Sequence, residues 1–293
     1  MRGKIVLAGL ILAVSGAAAL AQDQAPVPIE NDLYCSGTVT TENVPRSSYI
    51  ITGEGSNYRI TFDYGDYVYI NRGAEQGTKV GDEFSVIRPE VDPIDMEWSK
   101  WQYAILRKMG TVWADQGRLK VVVVERNTAV AQVVQACEML QRGDVIVPFA
   151  ERAAPPMKSE ANFDRFAPPS GKAKAMVITG KRFQQQSGTN DIVYVNLGRD
   201  QGVRVGDYFR VFRYTGTQHE TAYQTPRFAY DLNGDWGPTF GLGAAPSKKW
   251  DWNNTPREVL GEGVVVRTGP NSATVLLTFT LREIYSGDYV ELE

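Results

Sequence analysis

Few residues of this chain have the types and spacing that chemistry requires. His219 is the only histidine, so a Ser-His-Asp or Cys-His arrangement could be built only around His219-Glu220-Thr221. No Gly-x-Ser-x-Gly elbow is present, and a metal site built on imidazoles is disfavoured by the same count. His219 reads as a surface loop residue. Asp231, Asn233 and Asp235 alternate as in a calcium loop. Trp236 stands where an EF-hand needs glycine, and Leu242 where it needs glutamate. That run reads as an Asx-rich turn. Asp82 with Asp207, and Asp144 with Asp288, are paired carboxylates, but each follows a glycine at an equivalent place in an internal repeat. They are expected to bond their own turns rather than to flank a glycosidic bond. Gly77-x-x-x-Gly81 lacks the Lys-Ser/Thr of a phosphate loop. The expectation is therefore no enzyme, no cofactor and no metal.

The remaining candidates are aromatic. One group, Trp98, Trp101, Tyr103 and Trp113, follows Arg88. Another follows Arg213 and includes Tyr223, Trp236, Trp250 and Trp252. Flat rings on loops above a rigid scaffold give large contact area at little entropic cost, which suits protein or glycan binding. The alternative is that they cover open barrel ends and a domain interface. Trp98, Trp101, Tyr103, Tyr223, Trp236, Trp250 and Trp252 are the candidate ligand-binding residues.

The elements that must carry these loops are set by a repeated stretch. Asp66 to Arg88 matches Asp191 to Arg213 without a gap, with 13 of 23 positions identical. Tyr49-Ile50-Ile51-Thr52-Gly53 is echoed by Met176-Val177-Ile178-Thr179-Gly180, and Gly143-Asp144 by Gly287-Asp288. Short β-branched and aromatic runs are separated by Gly, Asn and Asp, the pattern of small β-barrels. Expected strands include Tyr34 to Thr41, Tyr58 to Asp63, Val121 to Glu125, Ala129 to Gln135, Gly263 to Arg267 and Ala273 to Thr280. Glu97 to Met109 is the best place for a short helix. The fold class is all-β, with two tandem barrels. The expected organisation is a signal peptide at 1–21, an extended segment at 22–45, a first repeat at 46–150, a Pro-rich linker at 151–172 and a second repeat at 173–293.

Arg2 and Lys4, the apolar run Ile5 to Val14 and Ala19-Leu20-Ala21 read as a cleavable secretory signal, with a membrane anchor as the alternative. No other stretch is apolar enough to span a bilayer. The net charge of −3 is a poor match to nucleic acid. In an exported chain, Cys35 and Cys137 point to one disulfide tying the N-terminal segment onto the first repeat, or else to two free thiols.

The pattern Val68-Tyr-Ile-Asn71, Gly73, Gly77, Val80-Gly81-Asp82-x-Phe84-x-Val86 and Gly143-Asp144 resembles the SH3-like C-terminal domain of the flagellar assembly protein T. The whole chain is also similar to an exported family associated with Acidobacteria, through Tyr34-Cys35-Ser36-Gly37 and Phe163-Asp-Arg-Phe-Ala-Pro-Pro169. The resemblance implies SH3-like modules in an envelope protein, located in the periplasm or secreted, and brings no catalytic residues. The expected function is non-enzymatic binding or scaffolding in the bacterial cell envelope. Its partner would be an envelope protein or, alternatively, peptidoglycan or another glycan. A secreted hydrolase is the third reading.

Overall fold

A computed structural model describes residues 25–55, 58–158, 163–214 and 256–293. The chain is all-β, with two short α-helices among the described residues, α1 (Glu30–Tyr34) and α2 (Gln102–Met109). The first unit has nine strands: β1 (Thr38–Thr40), β2 (Ile50–Gly53), β3 (Thr61–Phe62), β4 (Tyr67–Ile70), β5 (Glu83–Glu90), β6 (Thr111–Val124), β7 (Ala129–Ala136), β8 (Leu140–Gln141) and β9 (Val145–Pro148). Among the described residues the second has eight: β10 (Lys174–Gly180), β11 (Gln186–Ser187), β12 (Ile192–Val195), β13 (Tyr208–Tyr214), β14 (Arg257–Thr268), β15 (Ala273–Thr280), β16 (Ile284–Tyr285) and β17 (Tyr289–Leu292).

The second unit is a closed barrel in the order β10-β12-β15-β14-β13-β17, sealed where β17 pairs with β10. The first unit repeats that order as β2-β4-β7-β6-β5-β9, with β1 added against β6. Its ends meet through a Tyr49–Val145 bridge and bonds from Ile50 N to Asp144 O and from Ile146 N to Ser48 O, both 2.9 Å. Alternate residues point inward, as period two requires. They form one core around Ile50, Val68, Phe84, Leu119 and Val133, and another around Val177, Val193, Phe209, Val265 and Leu277.

The repeated stretch is a turn that clamps a hairpin. Residues 74–76 and 199–201 each form one 3-10 turn. Ala74 N and Glu75 N donate to Glu125 O and Arg126 O at the tip of the β6–β7 hairpin. Arg199 N and Asp200 N donate to Gly269 O and Pro270 O. The backbones approach so closely that a Cβ on Gly73 would lie 2.5 Å from Glu125 O, and one on Gly198 would lie 2.4 Å from Ser272 N. Gly73→Ala is therefore expected to cost about 1–3 kcal/mol by overpacking, read as a lower urea midpoint at unchanged slope. Gly77→Ser, whose site is open, separates this steric cost from that of positive φ.

The repeated acids hold turns. Asp82 accepts from Lys79 N and Asp207 from Arg204 N, both at 2.8 Å. Asp144 and Asp288 accept from Gln141 N and Tyr285 N, and each also receives a two-pronged guanidinium, from Arg88 and Arg213 respectively. These buried ion pairs lock the last strand of each unit to β5 or β13. Both arginines end the repeated stretch, which is the signal that the sequence reading passed over.

Three expected strands are corrected. Tyr34 to Thr41 is not one strand: α1 occupies 30–34, its start capped by Ile29 N donating to Asp32, and only Thr38–Thr40 is extended. Tyr58 to Asp63 shrinks to β3. The strand expected at Val121 begins ten residues earlier, at Thr111. The added stretch Trp113-Ala-Asp-Gln-Gly117 carries Asp and Gly, both of low strand preference. It is buried between units, where tertiary pairing outweighs that preference.

Candidate functional site

The first insertion, residues 91–110, leaves β5 at Glu90 and returns into β6 at Thr111. Its first half is a loop held by its own side chains. Asp92 accepts from Ile94 N at 2.9 Å and from the Tyr103 hydroxyl at 2.8 Å. Glu97 accepts from Tyr103 N, and Gln102 accepts from Trp98 N. Burial and the bond to Asp92 push the Tyr103 phenol well above its ordinary pKa. Trp98 and Tyr103 are half-buried. Trp101 starts α2 at φ 66° and is 64% exposed, with Val91, Ile94 and Met96 of the same loop also open to solvent.

The second half of the insertion is glue. α2 lays Met109, Ile105 and Leu106 against Ile178, Ile192, Tyr194 and Leu276 of the second unit, joined by Leu33 and Val39. Gln102 is buried and donates to Ile178 O at 2.7 Å. Thus the structure brings Trp98 and Trp101 into one loop, with Tyr103 bonded to it from the first turn of α2, yet spends the rest of that helix on the inter-unit contact. Trp113 is buried beneath the Arg46 guanidinium, 5.0 Å from its ring. Tyr223, Trp236, Trp250 and Trp252 lie outside the described residues, as do His219 and the Asp231–Asp235 run.

Under this apolar contact runs a polar network that no sequence spacing announced. Asp115 is buried in β6. It accepts from Gly37 N at 2.9 Å and from Arg152 at 3.2 and 3.3 Å, and Arg267 of the second unit lies 3.5 Å away. Burial works against the Arg267 charge and Asp115 works for it. Tyr194 donates to Ser36 O at 2.9 Å, Thr274 to Gly37 O at 3.3 Å, and Ser272 to Val39 O. Burial, with Asp115 and Glu90 adding, pushes the Tyr194 phenol far above its ordinary value. The segment 35–40 is therefore a strip pinned between units. The Cys35–Cys137 disulfide, Cα atoms 5.4 Å apart, ties its start to the end of β7.

A polar cleft of about 340 Å³ opens beside that disulfide, lined by Asp32, Lys181, Arg182, Gln184 and Asp191 among others. Three of these charged residues are committed, while burial lowers the Lys181 ammonium pKa. Asp32 accepts from Ile29 N, Asp191 from Gly188 N, and Arg182 pairs with Glu138. Among the described residues, no group of His, Cys, Asp or Glu is placed to hold a metal ion, and no helix is long and apolar enough to cross a membrane.

The linker docks on the second unit. Phe163 packs on Phe279 at 4.8 Å, and buried Arg257 bonds Ala167 O, Pro168 O and Glu291. The body is thus two sheet units, a strip and a linker, with Val91, Ile94, Met96 and Trp101 exposed on the loop at 91–101. No family model matches the chain, and no curated protein matches it.

Proposed function

We propose that this chain is a non-enzymatic binding and scaffolding protein of the bacterial cell envelope, built from two tandem SH3-like modules. What carries the reading is the loop 91–101, where Trp101, Val91, Ile94 and Met96 face water. Side-chain bonds to Asp92 and Glu97 fix that loop, so a partner meets preordered apolar area. The disulfide supports an oxidising, exported setting. The repeated carboxylates support the non-enzymatic part, because each is already bonded within its turn or to an arginine.

The test uses the full mature chain and its Trp101→Ala/Ile94→Ser variant on a solubilised envelope-protein fraction and on protein-free sacculi. A rim of neutral contacts around one aromatic anchor is the usual energetics of such surfaces. The expected result is at least about tenfold weaker retention of the variant on envelope protein, which is about 1.4 kcal/mol. Unchanged retention overturns the reading. Retention on bare sacculi that the variant loses assigns the loop to glycan instead.

A further inference from the structure

The Cys35–Cys137 bridge forms part of the wall of the polar cleft. The two cysteines are unequally covered: Cys35 is buried, while Cys137 is half-buried. Their surroundings suit the sulfurs once parted. The Gln135 side-chain amide has its nitrogen 3.9 Å from Cys35 Sγ, a donor for a thiolate there. Tyr34 O lies 3.6 Å from Cys137 Sγ and Asn31 Oδ1 lies 3.9 Å from Cys35 Sγ, each an acceptor for a thiol. Four charged residues share the wall with the bridge. Asp32 and Asp191 accept from Ile29 N and Gly188 N, and Arg182 pairs with Glu138. Lys181 is drawn to Asp115, Glu90 and Asp32 through charge alone, and burial works against its ammonium. A half-buried cation of this kind gains from an incoming anion, and a thiolate is one.

The bridge also sits where its opening has a mechanical effect. Cys137 is fixed to the first unit, since Cys137 N and Glu138 N both donate to Gln116 O. Cys35 heads the strip 35–40, whose carbonyls at Ser36, Gly37 and Val39 accept from Tyr194, Thr274 and Ser272 of the second unit. Parting the sulfurs frees one end of the strip and leaves those bonds in place. The units then stay joined while the strip opens locally.

We propose that Cys35–Cys137 is a thiol–disulfide exchange site, opened in the folded protein by a dithiol that enters the cleft, and that its opening loosens the strip between the units. One thiolate of the dithiol attacks Cys137 Sγ. A mixed disulfide forms, the Cys35–Cys137 bond breaks, and its electron pair leaves on Cys35 as a thiolate. The second thiolate of the dithiol then attacks the sulfur of its own molecule in the mixed disulfide, and Cys137 leaves as a thiolate. The dithiol is oxidised to a disulfide, both cysteines are reduced, two electrons pass, and the two thiol protons of the reagent end on the cysteines. This site is distinct from the loop 91–101 and stands apart from the proposed function.

Dithiothreitol, a small dithiol, tests this on the full mature chain in native buffer, over a series of concentrations. Alkylation followed by mass spectrometry counts free thiols with time. The expected rate rises in proportion to dithiothreitol and is insensitive to urea well below the unfolding midpoint. Lys181→Gln is expected to slow it several-fold, because one cation in a cleft raises the approach of an anion. Lys181→Arg keeps the charge and is expected to react at the wild-type rate, which separates the effect of charge from a defect in folding. Hydrogen exchange of the reduced chain is expected to rise in 35–40 while β7 and β15 stay protected. A rate that levels off with dithiothreitol, or climbs steeply with urea below the midpoint, comes from global unfolding and overturns the proposal. So does loss of protection across both units on reduction, or reduction of Lys181→Gln at the wild-type rate.

Discussion

Asp115→Ala lowers the stability of the folded chain by about 3–5 kcal/mol, the range found when one partner of a buried ion pair is removed. The carboxylate is 3% exposed and is the shared acceptor of Arg152, Arg267 and Gly37 N. Removing it leaves two guanidiniums facing each other and a backbone N–H without its acceptor. Arg267 keeps about a third of its side chain in water (32% exposed), which offsets part of the loss. Asp115→Asn keeps the shape and an acceptor for Gly37 N, so it falls between wild type and Asp115→Ala. Urea unfolding checks both. A loss below about 1 kcal/mol in Asp115→Ala, within the ordinary range of surface changes, sinks this account of the network.

The Cys35→Ser/Cys137→Ser chain is expected to lose about 2–5 kcal/mol. The bridge closes a loop of 102 residues in sequence, and the chain-entropy model gives about 4.7 kcal/mol for a loop near that size. For a chain of this length that corresponds to a melting temperature lower by on the order of 10 °C. The loss has a location. The strip 35–40 gives its carbonyls at Ser36, Gly37 and Val39 to Tyr194, Thr274 and Ser272 of the second unit. Hydrogen exchange in the variant should rise first in that strip and in β1, while β7 stays protected. Uniformly faster exchange across both units, or none, contradicts the placement of the effect.

The strands were legible where a local rule sufficed. Period-two runs such as Tyr67 to Ile70 and Glu83 to Arg88, bounded by Gly and Asn, announced β4 and β5 and their counterparts. The bridge between Cys35 and Cys137 was one of two readings of an even cysteine count, with free thiols as the other, and the turn role of Asp82 and Asp207 followed from their place after glycine. What stayed hidden depends on partners far along the chain. The place of Asp115 in β6 is held by Gly37, Arg152 and Arg267, at separations that leave no spacing to read. The helical α1 has five residues, too few for periodicity to show. The aromatic insertions were expected to act alike as contact surfaces. The described one divides, Trp101 outward and Met109 inward, because a helix packs one face only. One signal was available and unread: at equivalent places the second unit has Ile192, Val264 and Leu276 where the first has Tyr67, Lys120 and Gln132. Such a change from apolar to polar within a repeat marks which copy of a face is covered.

The insertion after Arg88, the strip 35–40 and Asp115 join the two units into one cooperative body that presents the loop 91–101. Scanning calorimetry of the oxidised full chain tests it most directly. A single transition is expected whose calorimetric and van't Hoff enthalpies agree, and which Asp115→Ala moves down or splits. Two resolved transitions in the native protein, unchanged by Asp115→Ala, would contradict it.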